Sequence, residues 1–342
     1  MTVRIGIAGP GGVARTHALA IKGIPEAQLT AVYSHREESA RRFAKEFGIP
    51  WFTDFSRFLE HIDVLDLCTP HHVRSELILP AATKGKHILV EKPLAISLEE
   101  ADEIIKVCNE AKVKLGVIFQ SRFEEDIQLL NNYLKEGKLG KPLAFSGYVK
   151  WYRDPEYYTG WHGKQATEGG GVLINQAIHM LDLIRWLGGE VTDVIAMTAR
   201  LLHHIEVEDT TFIILRFDSG AVGSLEASTA LYPGYPMRLE VHTDLGTVIL
   251  EENEVIQVDL REQGLVTSLF PSIGKKTSFV RTASPTEIKI LPHQRQIQDF
   301  VRAILEDKRP AVDGYEARKT LELVLEIYKK ARRFEREVRA EA

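Results

Sequence analysis

The opening of the chain constrains its fold most. Val3 to Ala8 is a short apolar, β-branched run that ends in Gly9-Pro10-Gly11-Gly12-Val13-Ala14. A buried strand that stops on glycines and passes directly into helical periodicity is the first half of a βαβ unit. The alternation then persists: helix from Val13 to about Gly23, strand Leu29 to Tyr33, helix Glu37 to Phe47, strand Val64 to Cys68, helix Val73 to Lys84, strand His87 to Val90, helix Leu98 to Ala111 and strand Lys114 to Ile118. Strands spaced by helices imply right-handed crossovers and a mostly parallel sheet.

After about Gln120 the texture changes. A helix over Glu124 to Glu136 precedes strand-like segments at Leu143 to Lys150, Thr192 to Leu202, Thr210 to Phe217, Ala221 to Ala227, Met237 to His242 and Thr247 to Glu251. Asp218-Ser219-Gly220 and Leu245-Gly246 read as hairpin turns. One helix over Gly171 to Leu187 interrupts the strands, and helices over His293 to Glu306 and Glu316 to Arg333 close the chain. Residues 259–290 show no clear period and read as a loop, an edge strand or an oligomer arm. At 342 residues the default is two domains. The expected fold class is α/β: residues 1–121 as a dinucleotide-binding domain with a parallel sheet, and residues 122–342 as a substrate-binding and oligomerisation domain with an open, mostly antiparallel sheet. An open sheet face needs cover, which predicts a homodimer or homotetramer.

Composition excludes several classes. A formal charge of −5 gives no global attraction to nucleic acid or an anionic membrane. Apolar runs such as Val64 to Cys68 are far too short to span a bilayer. Met1-Thr2 leads straight into a strand with no apolar leader, and the two cysteines, Cys68 and Cys108, are isolated, so the expected compartment is the cytoplasm. No metal site is expected. The set His203, His204, Glu206 and Glu208 lies on strand-like sequence and is expected at the surface.

Gly9-x-Gly11-x-x-Ala14 has the spacing of a dinucleotide fingerprint, and it follows a strand and opens a helix as that fingerprint requires. Gly9 permits the tight turn, Gly11 lets backbone approach a pyrophosphate, and Ala14 leaves room for helix–strand packing. Gly12 and Val13 begin the helix whose free N–H groups face the phosphates. At the end of the second strand an acidic residue would bind the ribose 2′-hydroxyl of NAD, but this chain has Ser34-His35-Arg36. A hydroxyl followed by a guanidinium suits a 2′-phosphate, so the expected cofactor is NADP or NAD, with NADP favoured. Thr69, Pro70 and His71 follow the third strand, and Glu91-Lys92-Pro93 follows the strand ending at Val90. Both fall at C-terminal strand ends, where open α/β sheets bind ligands. His71 and His72 also fit an ordinary exposed loop. Lys92, between an acid and a rigid proline, is poorly explained as surface decoration.

In this order, the Gly9–Ala14 loop, Glu91-Lys92-Pro93 and Gly169-Gly-Gly-Val-Leu-Ile-Asn-Gln-Ala-Ile-His179-Met-Leu-Asp182 resemble the glucose–fructose oxidoreductase / inositol dehydrogenase family, often written Gfo/Idh/MocA. The resemblance covers essentially the whole chain. It implies a Rossmann domain followed by an α/β domain with an open sheet, and NAD- or NADP-dependent oxidation or reduction of sugars, polyols or sugar nucleotides. It assigns catalysis to Lys92 and His179. Many members carry aspartate where this chain has Asn175, a departure from an Asp–His relay. Around Asn175-Gln176-Ala177, with Tyr157, Tyr158 and Trp161 upstream, the chain is similar to members acting on UDP-linked amino sugars.

On that reading Asn175, His179 and Asp182 share one stripe of a single helix at i, i+4 and i+7. His179 is the general base, Lys92 stabilises developing alkoxide, and Asn175 orients a substrate hydroxyl. Asp182 either fixes the imidazole or serves the helix. The stretch Trp151 to His162 is dense in aromatics and suits a carbohydrate or packs on itself. Candidate substrate residues are Arg122, Tyr152 and Trp161, with Arg153, His162 and Lys164 nearby in sequence or chemistry. The alternatives are a dehydrogenase of a nucleotide-linked sugar such as a UDP-amino sugar, and a non-catalytic NAD(P)-binding sensor. Retention of Lys92 and His179 argues against the sensor.

Overall fold

The structure is a computed structural model that describes residues 2–262, 270 and 289–335. Its contacts divide the chain into two units: the described residues of Met1–Phe123 with Thr286–Leu321, and those of Glu124–Pro285 with Glu322–Ala342. The second sheet therefore starts after a break close to residue 121, and a later segment returns to the first unit.

In the first unit the strands are β1 (Val3–Ala8), β2 (Ala27–Tyr33), β3 (Trp51–Phe52), β4 (Val64–Leu67), β5 (His87–Glu91) and β6 (Leu115–Ile118). They form one sheet in the order β3-β2-β1-β4-β5-β6, with every ladder parallel. All residues of β4 and β6 are buried, as strands covered on both faces must be. The helices between them are α1 (Gly12–Lys22), α2 (Glu37–Phe47), α3 (Phe55–Glu60), α4 (Arg74–Thr83) and α5 (Leu98–Glu110). Local chemistry sets their ends. Asp54 caps α3 by accepting from Arg57 N–H at 3.1 Å, Ser97 caps α5 by accepting from Glu100 N–H at 3.2 Å, and α2 stops on Gly48 at φ 69°. Strand order reverses between β1 and β4, the switch point that leaves a crevice at the C-terminal strand ends. The helix Ile290–Leu305 joins this unit because Ile297, Phe300 and Val301 enter the core with Ile5, Ile7, Ala18 and Ile21.

The second unit opens with α6 (Glu125–Lys135) and β7 (Pro142–Lys150), then three helical pieces: α7 (Gln165–Glu168), α8 (Val172–Asn175) and α9 (Ile178–Gly188). Next come β8 (Val191–Arg200), β9 (Thr210–Phe217), β10 (Val222–Ser228), β11 (Arg238–Thr243), β12 (Gly246–Glu251), β13 (Glu254–Leu260) and β14 (Arg332–Glu335). The sheet order is β13-β12-β11-β7-β10-β9-β8-β14. It is mostly antiparallel, with both expected hairpins present, but β7–β10 and β8–β14 pair in parallel. Ile213, Leu215 and Phe217 of β9 are buried, while Phe212 and Ile214 between them are exposed. That alternation places the core on the face covered by α9, which lies close enough that a Cβ on Gly147 of β7 would sit 2.7 Å from Met180 Cγ.

One expectation is corrected. The continuous helix over Gly171 to Leu187 is broken at Gln176-Ala177, because Ala177 N–H bonds back to Val172 O and the ladder restarts at Ile178. The aperiodic stretch 259–290 begins in β13, and of the remainder 263–269 and 271–288 lie outside the described residues.

Candidate functional site

The fingerprint loop is shaped by backbone needs. Gly9 has φ 88°, and a Cβ there would sit 2.8 Å from Thr69 Cγ2 and 3.0 Å from the Cys68 carbonyl oxygen. Gly11 caps α1 without any side-chain hydrogen bond, and a Cβ on Gly11 or Gly12 would meet nothing within 4 Å. The start of α1 thus has open space beside Gly11 and Gly12, while Ala14 is fully buried. Thr69 Oγ1 is buried and, among the described residues, has no hydrogen-bond partner. Ser34 is buried, with its Oγ accepting from Arg36 N–H at 3.1 Å, and His35 and Arg36 are exposed. Pro70 is half-buried. His71 is 2% exposed, so the exposed-loop alternative holds for His72 but not for His71. A dinucleotide fits these groups: Gly11, Gly12 and Val13 would hold a pyrophosphate, Ser34 and Arg36 a ribose substituent, and Thr69 a further polar atom.

Lys92 leaves the end of β5 between two clamps. Arg74, a fully buried guanidinium on α4, donates from Nη1 to the carbonyls of Glu91 and Pro93, and from Nη2 to the Thr69 carbonyl at 3.1 Å. Burial lowers its pKa to about 10, which leaves it charged. On the other side the Glu91 carboxylate accepts from Lys92 N–H at 3.2 Å and from His17 Nε2 at 3.1 Å. The opposite nitrogen of His17 lies 2.9 Å from Asp66. Burial opposes a proton on His17, but the charge and hydrogen bond of Asp66 outweigh it and raise the pKa well above 6.5. Burial likewise pushes Glu91 up, yet the hydrogen bond and charge of His17, then Lys92, hold it well below the carboxylate range. His293 Nε2 stands 3.9 Å from the same carboxylate, and burial with the neighbouring His17 lowers its pKa to about 4. His17 belongs to two triads spaced as metal ligands are, one with Glu91 and His293 and one with Asp66 and Cys68. Because each His17 nitrogen already faces a carboxylate, the cluster is an imidazolium held between two acids.

In the second unit the triglycine run is packed by the protein itself. A Cβ on Gly171 would overlap the Glu208 carbonyl oxygen, and one on Gly170 would overlap the Tyr328 hydroxyl. The Glu208 carboxylate accepts from Gly171 and Leu173 N–H at 3.0 Å each and from Tyr328 Oη at 2.8 Å, capping α8. Burial outweighs these bonds and raises its pKa to about 7. Glu208 and His203 are thus buried in the loop before β9; the expected surface strand is corrected there, and only His204 and Glu206 are exposed. His203 Nε2 donates to the Thr229 carbonyl, 3.0 Å away.

Asn175 ends α8 and His179 lies in the first turn of α9, so the two stand on separate helical pieces. Asn175 is buried; its Nδ2 donates to Glu168 Oε1 and lies 3.3 Å from Tyr157 Oη and 3.2 Å from His162 Nδ1. His179 is half-buried. Asp182 is 1% exposed with Arg185 Nη2 3.8 Å away, one turn along its own helix. The aromatic stretch packs partly on itself and partly on later loops: Tyr157 stacks on His162 at 4.1 Å, Tyr158 meets His203 at 4.7 Å, and Tyr152 meets Tyr232 at 5.3 Å. Trp161 is half-buried and Lys164 exposed. Arg122 belongs to the first unit, buried, with Glu316 3.3 Å away. Sequence reasoning missed His17, Arg74, Glu168 and Tyr328. A histidine among Ala14, Ala18 and Ile21 on one helix face was the available signal for His17; Arg74 had none.

Comparison with known proteins bears on both units. Residues 3–119 match the profile of an oxidoreductase family with an NAD-binding Rossmann fold, and residues 127–249 match the GFO/IDH/MocA C-terminal domain. The scyllo-inositol 2-dehydrogenase (NAD(+)) of Bacillus subtilis is 31% identical over 72% of this chain and 73% of its own. Myo-inositol 2-dehydrogenase of Thermotoga maritima is 29% identical over 77% of this chain and 79% of its own. Among solved structures, the WlbA dehydrogenase of Bordetella pertussis in complex with NADH and UDP-GlcNAcA superposes with a TM-score of 0.85 at 28% identity, covering 96% of this chain and 95% of that one.

Proposed function

The chain belongs to the GFO/IDH/MocA oxidoreductase family, enzymes that act on CH–OH groups with a nicotinamide cofactor, and on that premise we propose that it moves hydride between NADP and a hydroxyl-bearing carbon of a sugar or polyol. The observation that carries this reading is the double clamp on Lys92, whose peptide is gripped by the Glu91 carboxylate on one side and by the buried Arg74 on the other. A lysine whose backbone is held this firmly at a C-terminal strand end suits a developing alkoxide.

In the proposed mechanism Lys92 donates a hydrogen bond to the substrate oxygen and stabilises its negative charge. His179 takes the proton from that oxygen and returns it in the reverse direction, a task that imidazole performs near neutral pH. Asn175 hydrogen-bonds a neighbouring hydroxyl. A bound nicotinamide supplies the hydride acceptor. The exposed Arg36 beside Ser34, with no carboxylate at positions 34–36, supports a 2′-phosphate and hence NADP. Two free, buried cysteines support a reducing cytoplasmic setting. The exposed Ile195, Phe212, Ile214, Val222 and Phe334 on the sheet face opposite α9 support a homo-oligomer. No helix among the described residues is long and apolar enough to cross a membrane.

The likeness to a dehydrogenase solved with UDP-GlcNAcA supports a second substrate reading, a nucleotide-linked sugar. Titrating NADPH and NADH, then following nicotinamide absorbance with sugars, inositols and UDP-sugars, separates the two. A chain that binds cofactor and turns over none of them is the sensor. His179→Ala is expected to remove the limb of the pH–rate profile near neutrality; a surviving limb puts the base elsewhere.

A further inference from the structure

Building on the sugar-dehydrogenase reading above, we propose that His162 is a substrate-binding residue that presents ring Nε2 to a hydroxyl of the bound sugar, with Glu168 as the positioning residue that aims it.

His162 lies in the connection between β7 and α7, and Glu168 is the last residue of α7, directly before the triglycine run. Glu168 is 1% exposed, and its carboxylate gathers three donors. Oε1 lies 3.2 Å from His162 Nδ1 and accepts from Asn175 Nδ2, while Oε2 accepts from Gly163 N–H. Asn175 Nδ2 and His162 Nδ1 are 3.2 Å apart because both converge on one oxygen. A carboxylate oxygen in that position favours a hydrogen on Nδ1 in the neutral ring. The lone pair of the imidazole is then left on Nε2.

The ring plane is fixed as firmly as its tautomer. Tyr157 stacks on the imidazole at 4.1 Å and 18°, and Trp161 lies 3.9 Å away at 34°. Tyr157 is itself held, since its hydroxyl accepts from Gln176 Nε2 at 3.0 Å. Among the described residues Nε2 has no hydrogen-bond partner, yet the side chain keeps 19% of its surface. A packing role would use only Nδ1 and the ring faces. The fixed, accessible acceptor between aromatic surfaces suits a neutral polyhydroxylated ring, which offers O–H donors at its rim and C–H faces to aromatic rings.

The glutamine amide reaches the place of imidazole Nε2, and the asparagine amide reaches that of Nδ1, so two substitutions separate the roles. The substrate is the best sugar from the panel, assayed with saturating cofactor. His162→Ala is expected to raise KM for the sugar on the order of tenfold, with the cofactor Kd within about twofold of wild type. His162→Gln should recover most of that loss and His162→Asn should not, giving a KM ratio of Asn to Gln variants above about three. A ratio at or below that value, or an unchanged KM in His162→Ala, overturns the proposal. In the His162→Ala background, Glu168→Gln should raise KM by less than half of what it does alone, and a larger rise overturns its positioning role. Wild-type protein that turns over no sugar removes the underlying dehydrogenase reading and this inference with it. Active wild type with an indifferent His162 removes this inference alone.

Discussion

Two glycine-rich turns, one in each unit, lead into helices that carry candidate residues, and they use glycine for opposite reasons. At Gly11 and Gly12 an added Cβ would meet nothing, so the missing side chains keep space open above a helix N-terminus. At Gly170 and Gly171 the space is already taken by the Tyr328 hydroxyl and the Glu208 carbonyl. The first turn is left open, as the proposed cofactor site would need. The second is filled by the protein to pin α8 and, through it, the start of α9. On the proposed function, identical residue types serve binding in one unit and stability in the other, and substitutions should tell the two apart.

Gly171→Ala should have the largest effect, about 3 kcal/mol or more of lost stability, because backbone cannot yield to the new methyl as a side-chain tip would. Denaturant unfolding checks it, and a loss confined to cofactor affinity would erase the contrast. Tyr328→Phe should cost about 1–3 kcal/mol, since it leaves the buried Glu208 carboxylate and Ile174 N–H each short of a partner. Gly12→Ala should leave stability within about 0.5 kcal/mol while weakening binding of the reduced nicotinamide cofactor on the order of tenfold, read by fluorescence titration.

The smallest effects are in pH dependence, and they too differ between the units. Glu208 has a raised pKa, so its contribution is fullest below 4.5 and is lost as pH rises to about 7. His17 is also raised, so its stabilisation is complete below 6.5 and is lost as pH climbs through its higher folded value. Glu91 is lowered, so its contribution is present above 4.5 and fades as pH falls toward its folded value. Unfolding measured across this range should show His17→Gln losing the dependence above 6.5 and keeping the part between 4.5 and about 7.

The legible parts of the sequence were those where one local segment does the work. The Gly9–Ala14 loop, the parallel strand–helix alternation and both hairpins follow from periodicity and turn chemistry. Lys92 was legible because its motif sits at a strand end. What escaped depends on partners distant in the chain: His17 meets Glu91 across 74 residues, and Glu208 meets Gly171 across 37. Glu208 and His203 read as the polar side of a strand, and only tertiary packing buries them. The break at Gln176-Ala177 was invisible because apolar residues keep helical spacing straight through it. Glu168 drew no reading from the sequence, although it is 1% exposed and anchors Asn175 and His162.

The most direct test of the central claim is single-turnover hydride transfer in cofactor-loaded protein, comparing wild type with Lys92→Met. Equal cofactor affinity with transfer slowed on the order of a hundredfold or more is the predicted result. Equal transfer rates in the two proteins would contradict the catalytic role given to Lys92 and to the clamps that hold it.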